Sequence, residues 1–121
     1  MSLEIWINPA CSKCRVALER LDAAGVSYLA RRYLEDPPTV AELDDVVTRL
    51  GFHPWDLARS GDGDGLLQAL PRGVAYRADW LAALAAYPEF IQRPVLLCDD
   101  GTAVVGRTPE AIDQAIAAQR G

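Results

Sequence analysis

The chain has 121 residues, of which 50% are hydrophobic and 24% are charged, and this composition suits one domain that buries a core of its own. Its formal net charge of −5 argues against nucleic acid as a partner, because phosphate binding normally requires a basic face. The sequence has neither the roughly 20 consecutive apolar residues of a membrane span nor the residue order of a secretion signal, so we expect a cytoplasmic protein.

A strand, a helix and a second strand are predicted for the N-terminal part of the chain. Apolar residues alternate from residue 3 to residue 7, which predicts the first strand, and an Asn-Pro pair then indicates a turn. From Cys14 onward the apolar residues follow helical spacing until Gly25, a residue typical of the position just after a helix. Residues 26 to 34 predict the second strand.

The middle of the chain is predicted to be helical. Thr39 and Glu42 form a capping-box signature, which predicts a helix over about residues 39 to 50 that ends before Gly51. Short helical patterns separated by glycine-rich and proline-rich turns then follow, over residues 55–59, 66–70 and 78–86. We interpret this part as a helical insertion at about residues 52–90.

The C-terminal part predicts a β-hairpin and a last helix. Two short β-branched or apolar runs, residues 95–98 and 102–105, flank an Asp-Asp-Gly turn signal. Thr108 and Pro109 then provide an N-cap and a proline at the first helical position. The order β-α-β, helical insertion, β-β-α predicts an α/β, thioredoxin-like (glutaredoxin-like) fold with a mixed sheet, as a single domain over residues 1–121.

The chain contains three cysteines, and two of them, Cys11 and Cys14, stand at the predicted start of the first helix. Unpaired backbone N–H groups and the positive end of the helix dipole stabilise a thiolate at that position, which lowers the thiol pKa. Lys13 and Arg15 add nearby positive charge. We therefore expect Cys11 to be the nucleophile and Cys14, one turn further along the helix, to be the resolving thiol.

These cysteines admit other roles. A zinc site would need further ligands at metal-binding spacing, and Cys98 and His53 lie too far apart in the sequence to supply them. Cys14 can instead be a small buried hydrophobic residue. Cys98, in an apolar run, is expected in the core, and His53 is expected to have a structural or helix-capping role.

Four segments, in this order and at these separations, resemble the glutaredoxin-coupled arsenate reductases and the related Spx-type regulators: NPACSKCR, YLEDPPT, IQRPVLL and VGRTPEAI. The resemblance covers nearly the whole chain and implies a thioredoxin-like core with a helical insertion. It makes Cys11 the nucleophile that attacks arsenate, giving a thiol-arsenate adduct that glutathione then attacks. It makes Arg93 and Arg107, with Arg59 as a third, the residues that hold the oxyanion, a task suited to planar guanidinium groups.

The resemblance also implies that Pro94, directly after Arg93, is a cis-proline that brings Arg93 against Cys11. Two positions depart from the family pattern. Ile7 stands where the reductases usually carry a histidine, and Cys14 is a second cysteine that they often lack. Cys14 permits an intramolecular disulfide that the glutathione route does not require.

The implied function is a thiol-dependent oxidoreductase that reduces arsenate to arsenite, with no metal and no tightly bound cofactor. Glutathione would be a co-substrate, and glutaredoxin, or thioredoxin if Cys14 resolves the adduct, would supply electrons. Two alternatives stay open. One is an Spx-type regulator that binds RNA polymerase and uses the two cysteines as a redox switch, although YLEDPPT and Arg107 favour the reductase. The other is a general glutathione-dependent thiol reductase, whose arginines would bind the glutathione carboxylates.

Overall fold

The computed structural model describes residues 2–59 and 70–120, and the chain divides into two compact units. The first unit comprises Met1–Asp36 and Arg93–Gly121, and the second comprises Pro37–Gln92. The predicted single domain with an insertion at about residues 52–90 stays a prediction. The second unit begins earlier than that insertion, because it includes the helix predicted from the capping box.

The first unit is a mixed sheet with helices. Its elements are β1 (Leu3–Ile7), α1 (Ser12–Ala23), β2 (Tyr28–Arg32), β3 (Val95–Leu97), β4 (Ala103–Val105) and α5 (Pro109–Arg120). Within the described residues the sheet has four strands in the order β2-β1-β3-β4. β2 runs parallel to β1, whereas the β1–β3 and β3–β4 pairs are antiparallel. This arrangement confirms the predicted α/β, thioredoxin-like fold and its mixed sheet.

The strand register brings four chain segments to one edge of the sheet. Ile7, the last residue of β1, pairs with Arg32, the last residue of β2. Val95, the first residue of β3, pairs with Trp6 on one side and with Val105, the last residue of β4, on the other. The segments that leave β1, β2 and β4 and the segment that enters β3 therefore meet at this edge.

The core of the first unit lies on one face of β1. Because strand side chains alternate, Leu3, Ile5 and Ile7 point to the same face, where all three are buried. Residues of α1, β3, β4 and α5 share this cluster: Cys14, Ala17, Leu21, Leu96, Val104, Ile112, Ala115 and Ile116. The two helices thus cover this face, and α1 is fixed to the strand that precedes it.

The second strand is shorter than predicted, and the hydrogen bonds at its two ends explain why. The backbone N–H of Val26 donates to the carbonyl of Leu21 at 3.0 Å, so it caps α1 and does not join the sheet. After the strand, the N–H groups of Glu35 and Asp36 donate to the carbonyl of Arg32 at 3.0 and 2.9 Å. A helix cap and a turn therefore use the backbone groups that a longer strand would need.

The second unit contains helices in its described residues: α2 (Val40–Leu50), α3 (Pro54–Leu57), α4 (Arg77–Ala86) and two 3₁₀ turns, Val74–Tyr76 and Pro88–Phe90. The predicted capping box is confirmed, because the Glu42 N–H donates to Thr39 Oγ1 at 3.1 Å and the Thr39 N–H donates to Glu42 Oε1 at 3.0 Å. Gly51 ends α2 with a φ of +70°. Of the predicted helix over 66–70, residues 66–69 lie outside the described residues. None of the helices in the described ranges has both the length and the hydropathy of a membrane span.

Gly106, just after β4, packs closely against Pro94, Leu96 and Ile112. Its N–H donates to the carbonyl of Pro94 at 2.8 Å. A Cβ atom there would lie 2.8 Å from Leu96 Cδ1, 3.1 Å from Pro94 Cγ and 3.2 Å from Ile112 Cγ1. Only a residue without a side chain fits this contact.

We expect Gly106→Ala to lower the free energy of unfolding by about 1 to 3 kcal/mol, because overpacking forces neighbouring groups to move. Urea unfolding followed by circular dichroism measures this change. Gly73→Ala is the matched control, since its Cβ would meet nothing closer than Tyr76 Cδ2 at 3.9 Å. Equal midpoints for the wild type and Gly106→Ala would contradict the role of this contact.

Candidate active site

Cys11 lies at the start of α1, at the edge of the sheet where β1 ends. It is the N-cap residue, with extended backbone angles of φ −89° and ψ 126°. Asn8 shapes the turn before it: the Asn8 carbonyl accepts from the Cys11 N–H at 2.9 Å, and Asn8 Oδ1 accepts from the Ala10 N–H at 3.0 Å. The structure thus places Cys11 where the sequence predicts, before the unpaired N–H groups of the first helical turn.

The Cys11 thiol ionises more readily than an ordinary cysteine. Burial by itself raises its pKa, but hydrogen bonds from the backbone N–H of Cys14, the Arg93 side chain and the backbone N–H of Lys13 lower it. The result is a pKa of about 7, against an ordinary value of 9.0. Lys13 contributes here through its backbone N–H, whereas the sequence reasoning assigned the effect to its side-chain charge. A large fraction of Cys11 is therefore thiolate at neutral pH.

Cys14 has the opposite character. Its side chain is 1% exposed, and burial, followed by the neighbouring Cys11 sulfur, raises its pKa to about 11, although a hydrogen bond from Asn8 lowers it. That bond runs from the Asn8 N–H to Cys14 Sγ at 3.4 Å. The pKa of Cys14 therefore lies above that of Cys11. Cys14 is thus a neutral thiol near neutral pH, buried beside the ionised one.

Arg93 is brought to Cys11 by the segment that enters β3. The Arg93–Pro94 peptide bond is cis, as predicted. The guanidinium group lies beside the Cys11 sulfur and lowers the pKa of that thiol. Burial lowers the pKa of Arg93, but the contacts with Cys11 and Tyr33 outweigh it and raise the pKa above its ordinary value. A permanent cation therefore lies against the reactive sulfur.

Tyr33 is a site residue that the sequence reasoning missed. It directly follows β2, is 1% exposed, and lies close enough to Arg93 to raise the pKa of that guanidinium group. Tyr33 is the first residue of the YLEDPPT segment and follows β2, as Cys11 follows β1. Because parallel strands end at the same edge of a sheet, the sequence contained a signal that Tyr33 lies near Cys11. The contact itself needs the register, which the sequence does not give.

Arg107 follows β4 and is exposed. It lines a cavity of about 170 Å³ together with Gly106 and with Ser12 and Lys13 of α1. The cavity thus adjoins the first turn of α1, directly after Cys11 in the chain. Its wall offers cationic and hydroxyl-bearing side chains, although most of its surface is apolar. The assignment of Arg107 to the oxyanion stays a prediction.

Arg59 belongs to the second unit. Its backbone N–H donates to the carbonyl of Phe90 at 2.7 Å, and the neighbouring Ala58 forms an antiparallel bridge with Ile91. The structure thus fixes the backbone of Arg59 within that unit. Its assignment as a third oxyanion-binding residue stays a prediction.

Cys98 and His53 have the structural roles predicted for them. Cys98 is 3% exposed, and its Sγ donates to the Ala115 carbonyl at 3.4 Å. His53 caps α3: its backbone N–H donates to Asp56 Oδ2 at 2.9 Å, and its ring stacks on Trp55 with centroids 4.5 Å apart. Among residues 2–59 and 70–120, no group of three or more His, Cys, Asp or Glu side chains could hold a metal ion.

No family model matches the sequence. An uncharacterised protein in the glnII region of Streptomyces viridochromogenes is 50% identical over 117 residues, which cover 94% of this chain and 98% of that protein. An arsenate reductase of Neisseria meningitidis serogroup A is 33% identical over 112 residues, covering 92% and 95%. The solved structure of an arsenate reductase from Vibrio cholerae matches with a TM-score of 0.85 and 32% identity, covering 95% of this chain and 98% of that one.

Proposed function

The chain belongs to the arsenate reductase family, and we propose that it reduces arsenate to arsenite through a covalent adduct on Cys11. One observation carries this proposal: a thiol with a pKa of about 7 lies beside the guanidinium group of Arg93. The thiolate is the nucleophile for an electrophilic arsenic atom, and the guanidinium group is a suitable partner for the oxyanion that carries it.

In the first step, the Cys11 thiolate attacks the arsenic atom of arsenate. A sulfur–arsenic bond forms, and one arsenic–oxygen bond breaks, so that a protonated oxygen leaves as water. Arg93 stabilises the thiolate before the attack and holds arsenate oxygens during it, since planar guanidinium groups donate paired hydrogen bonds to oxyanions. Arg107 would hold further oxygens of the same oxyanion.

In the second step, a further thiol supplies the electrons that reduce arsenic. A glutathione thiolate attacks Cys11 Sγ, the sulfur–arsenic bond breaks, and its electron pair passes to arsenic, so that arsenite leaves. A mixed disulfide between Cys11 and glutathione remains. A thiol of glutaredoxin then attacks this disulfide on the glutathione sulfur and returns Cys11 to its thiolate form. Two thiols are thus oxidised for each arsenate that is reduced.

The burial and the raised pKa of Cys14 make glutathione the better second thiol. The rate of thiol attack depends on the thiolate fraction and on access to the sulfur. Cys14 is buried and its pKa is raised to about 11, so it offers little thiolate near neutral pH. Glutathione in solution is accessible, and an ordinary free thiol with a pKa of about 8.5 offers far more thiolate than Cys14 does.

We therefore expect Cys14→Ser to keep most of its arsenate-dependent turnover when glutathione and glutaredoxin are present. The assay follows NADPH consumption, and mass spectrometry of the oxidised wild type should show glutathione on Cys11. A Cys14→Ser variant without activity under these conditions would make Cys14 the resolving thiol. The oxidised wild type would then carry a disulfide between Cys11 and Cys14 and lose two mass units in that peptide.

The function as a whole is tested by arsenate-dependent NADPH consumption in two coupled assays. One contains glutathione, glutaredoxin and glutathione reductase, and the other contains thioredoxin and thioredoxin reductase. We expect turnover in the glutaredoxin assay. Activity in neither assay would contradict the reductase proposal and favour the regulator or the general thiol reductase.

The general thiol reductase is the second candidate, because the Arg93 guanidinium group beside Cys11 suits a carboxylate as well as an oxyanion. In that case the glutathione carboxylates would occupy the cationic site. An assay with glutathione and glutathione reductase but no glutaredoxin, and with a small disulfide in place of arsenate, distinguishes the two. Turnover of the disulfide together with no turnover of arsenate would support this second candidate.

A further inference from the structure

The turn between β1 and α1 is built on the polar groups of one residue, Asn8. Its carbonyl oxygen accepts from the Cys11 N–H at 2.9 Å, and its side-chain Oδ1 accepts from the Ala10 N–H at 3.0 Å. Its own N–H donates to Cys14 Sγ at 3.4 Å. Asn8 is therefore hydrogen-bonded to three residues of the segment that carries both active-site cysteines.

The side chains of this turn contribute little to holding it in place. Pro9 and Ala10, the two residues between Asn8 and Cys11, are both exposed, so they bury little surface against the rest of the unit. Pro9 has no N–H group, and the N–H groups of Ala10 and Cys11 are the first that follow Asn8 in the chain. Both donate to Asn8, one to its side chain and one to its backbone. The conformation of the turn therefore depends mainly on these hydrogen bonds.

The same turn decides where the reactive cysteine lies relative to α1. Cys11 has the extended backbone angles of an N-cap residue, and α1 begins at the next residue, Ser12. An asparagine side chain that accepts from the N–H two residues later forms a local turn and restricts the chain there. Without the bond from Ala10, the residues before α1 would sample more conformations, and Cys11 would leave its N-cap position more often.

We propose that Asn8 is a positioning residue whose side-chain oxygen holds Cys11 at the N-cap of α1. It acts through the backbone of Ala10 and Cys11. The backbone N–H groups of Lys13 and Cys14 lower the pKa of Cys11, and they do so only while the thiol lies before them. The consequence for arsenate turnover rests on the proposed function, whereas the position of the thiol does not.

The first measurement is the rate of alkylation of Cys11 by iodoacetamide against pH, with the modified peptide quantified by mass spectrometry. We expect Asn8→Ala to raise the midpoint of this profile by about 0.5 in pH, the size of a helix-terminus effect on one charge. Arg93 and Cys14, the titratable groups that face Cys11, are unchanged in this variant. Asn8→Ser is the conservative variant, because a serine hydroxyl accepts the same kind of bond more weakly. Its midpoint should lie between those of the wild type and Asn8→Ala.

Asp100→Ala is the matched control, because Asp100 forms the same kind of bond in the turn between β3 and β4. Its Oδ1 accepts from the Thr102 N–H at 2.8 Å. This turn follows β3, whereas Arg93 precedes that strand, so the two lie at opposite ends of it. Removing the carboxylate should leave the midpoint of Cys11 alkylation unchanged. Urea unfolding shows that each variant is folded and how much stability it loses, so that a general loss of stability is distinguished from an effect on the thiol.

Amide hydrogen exchange measured by NMR tests the route of the effect. Asn8→Ala should speed exchange at Ala10 and Cys11, whereas Asp100→Ala should speed it at Thr102. An unchanged midpoint in folded Asn8→Ala, or a raised midpoint without faster exchange at Ala10 and Cys11, would overturn the proposal. Neither measurement uses arsenate. A chain that shows both effects in Asn8→Ala but does not reduce arsenate would therefore support this proposal and contradict the proposed function.

Discussion

Replacing Cys11 with serine is expected to remove all arsenate-dependent turnover. A serine hydroxyl is not ionised near neutral pH, so the hydrogen bonds that stabilise a thiolate at this position do not create a nucleophile from it. The backbone N–H groups of Lys13 and Cys14 and the Arg93 side chain would remain in place. The variant should therefore keep its affinity for the oxyanion while losing the covalent adduct, which mass spectrometry can detect in the wild type.

Cys98→Ser is the control for this loss. Cys98 is buried and its Sγ donates to the Ala115 carbonyl, so a serine there keeps a donor at the same position and leaves Cys11 untouched. We expect this variant to turn over arsenate as the wild type does. Turnover that survives in Cys11→Ser would show that another group attacks arsenic, and the mechanism would then be wrong.

The features predicted correctly from the sequence depend on residues close together in the chain. The helix start at Cys11, the capping box of Thr39 and Glu42, and the N-cap at Thr108 all involve neighbours within one helical turn. The turn at Gly101, with a φ of +95°, is equally local. Local signals also placed Cys11 at a helix N-terminus, and therefore gave the direction in which its pKa departs from the ordinary value.

The features that the sequence reasoning missed depend on strand register and on competing hydrogen bonds. The contact between Tyr33 and Arg93 exists because β2 is parallel to β1 and β3 is antiparallel to it. No spacing in the sequence encodes that pairing. Likewise, the first residues of the predicted second strand proved to cap α1, because the N–H of Val26 bonds to Leu21. The sequence signals for a helix end and for a strand overlap there, and the Val26 N–H caps the helix and does not join the sheet.

Arg93→Ala is expected to affect both the binding of the oxyanion and the ionisation of Cys11. The loss of hydrogen bonds to a charged ligand should weaken the binding of arsenate by about 1.5 to 3 kcal/mol. The loss of the hydrogen bond and the charge that lower the pKa of Cys11 from 9.0 to about 7 should raise that pKa. Titration with arsenate in the Cys11→Ser background measures the first effect, and alkylation against pH measures the second.

Two control variants separate the roles of the arginines. Arg107→Ala should also weaken the binding of arsenate. Because Arg107 is not among the groups that set the pKa of Cys11, the midpoint of Cys11 alkylation in this variant should stay near 7. Arg20→Ala, which removes an exposed arginine paired with Asp113 at 3.0 Å, should change neither measurement. If arsenate binds equally well to the wild type, Arg93→Ala and Arg107→Ala, the assignment of the oxyanion site is wrong.

The sign of the pH effect makes the Arg93 prediction specific. A higher pKa lowers the thiolate fraction of Cys11 at pH 7. At a pH well above the Cys11 pKa of both the wild type and Arg93→Ala, the thiol is ionised with or without Arg93. Alkylation of Arg93→Ala should therefore be slower than that of the wild type near pH 7, and the two rates should converge at high pH. A difference that is constant across pH would mean that Arg93 controls access to the sulfur and does not stabilise its thiolate.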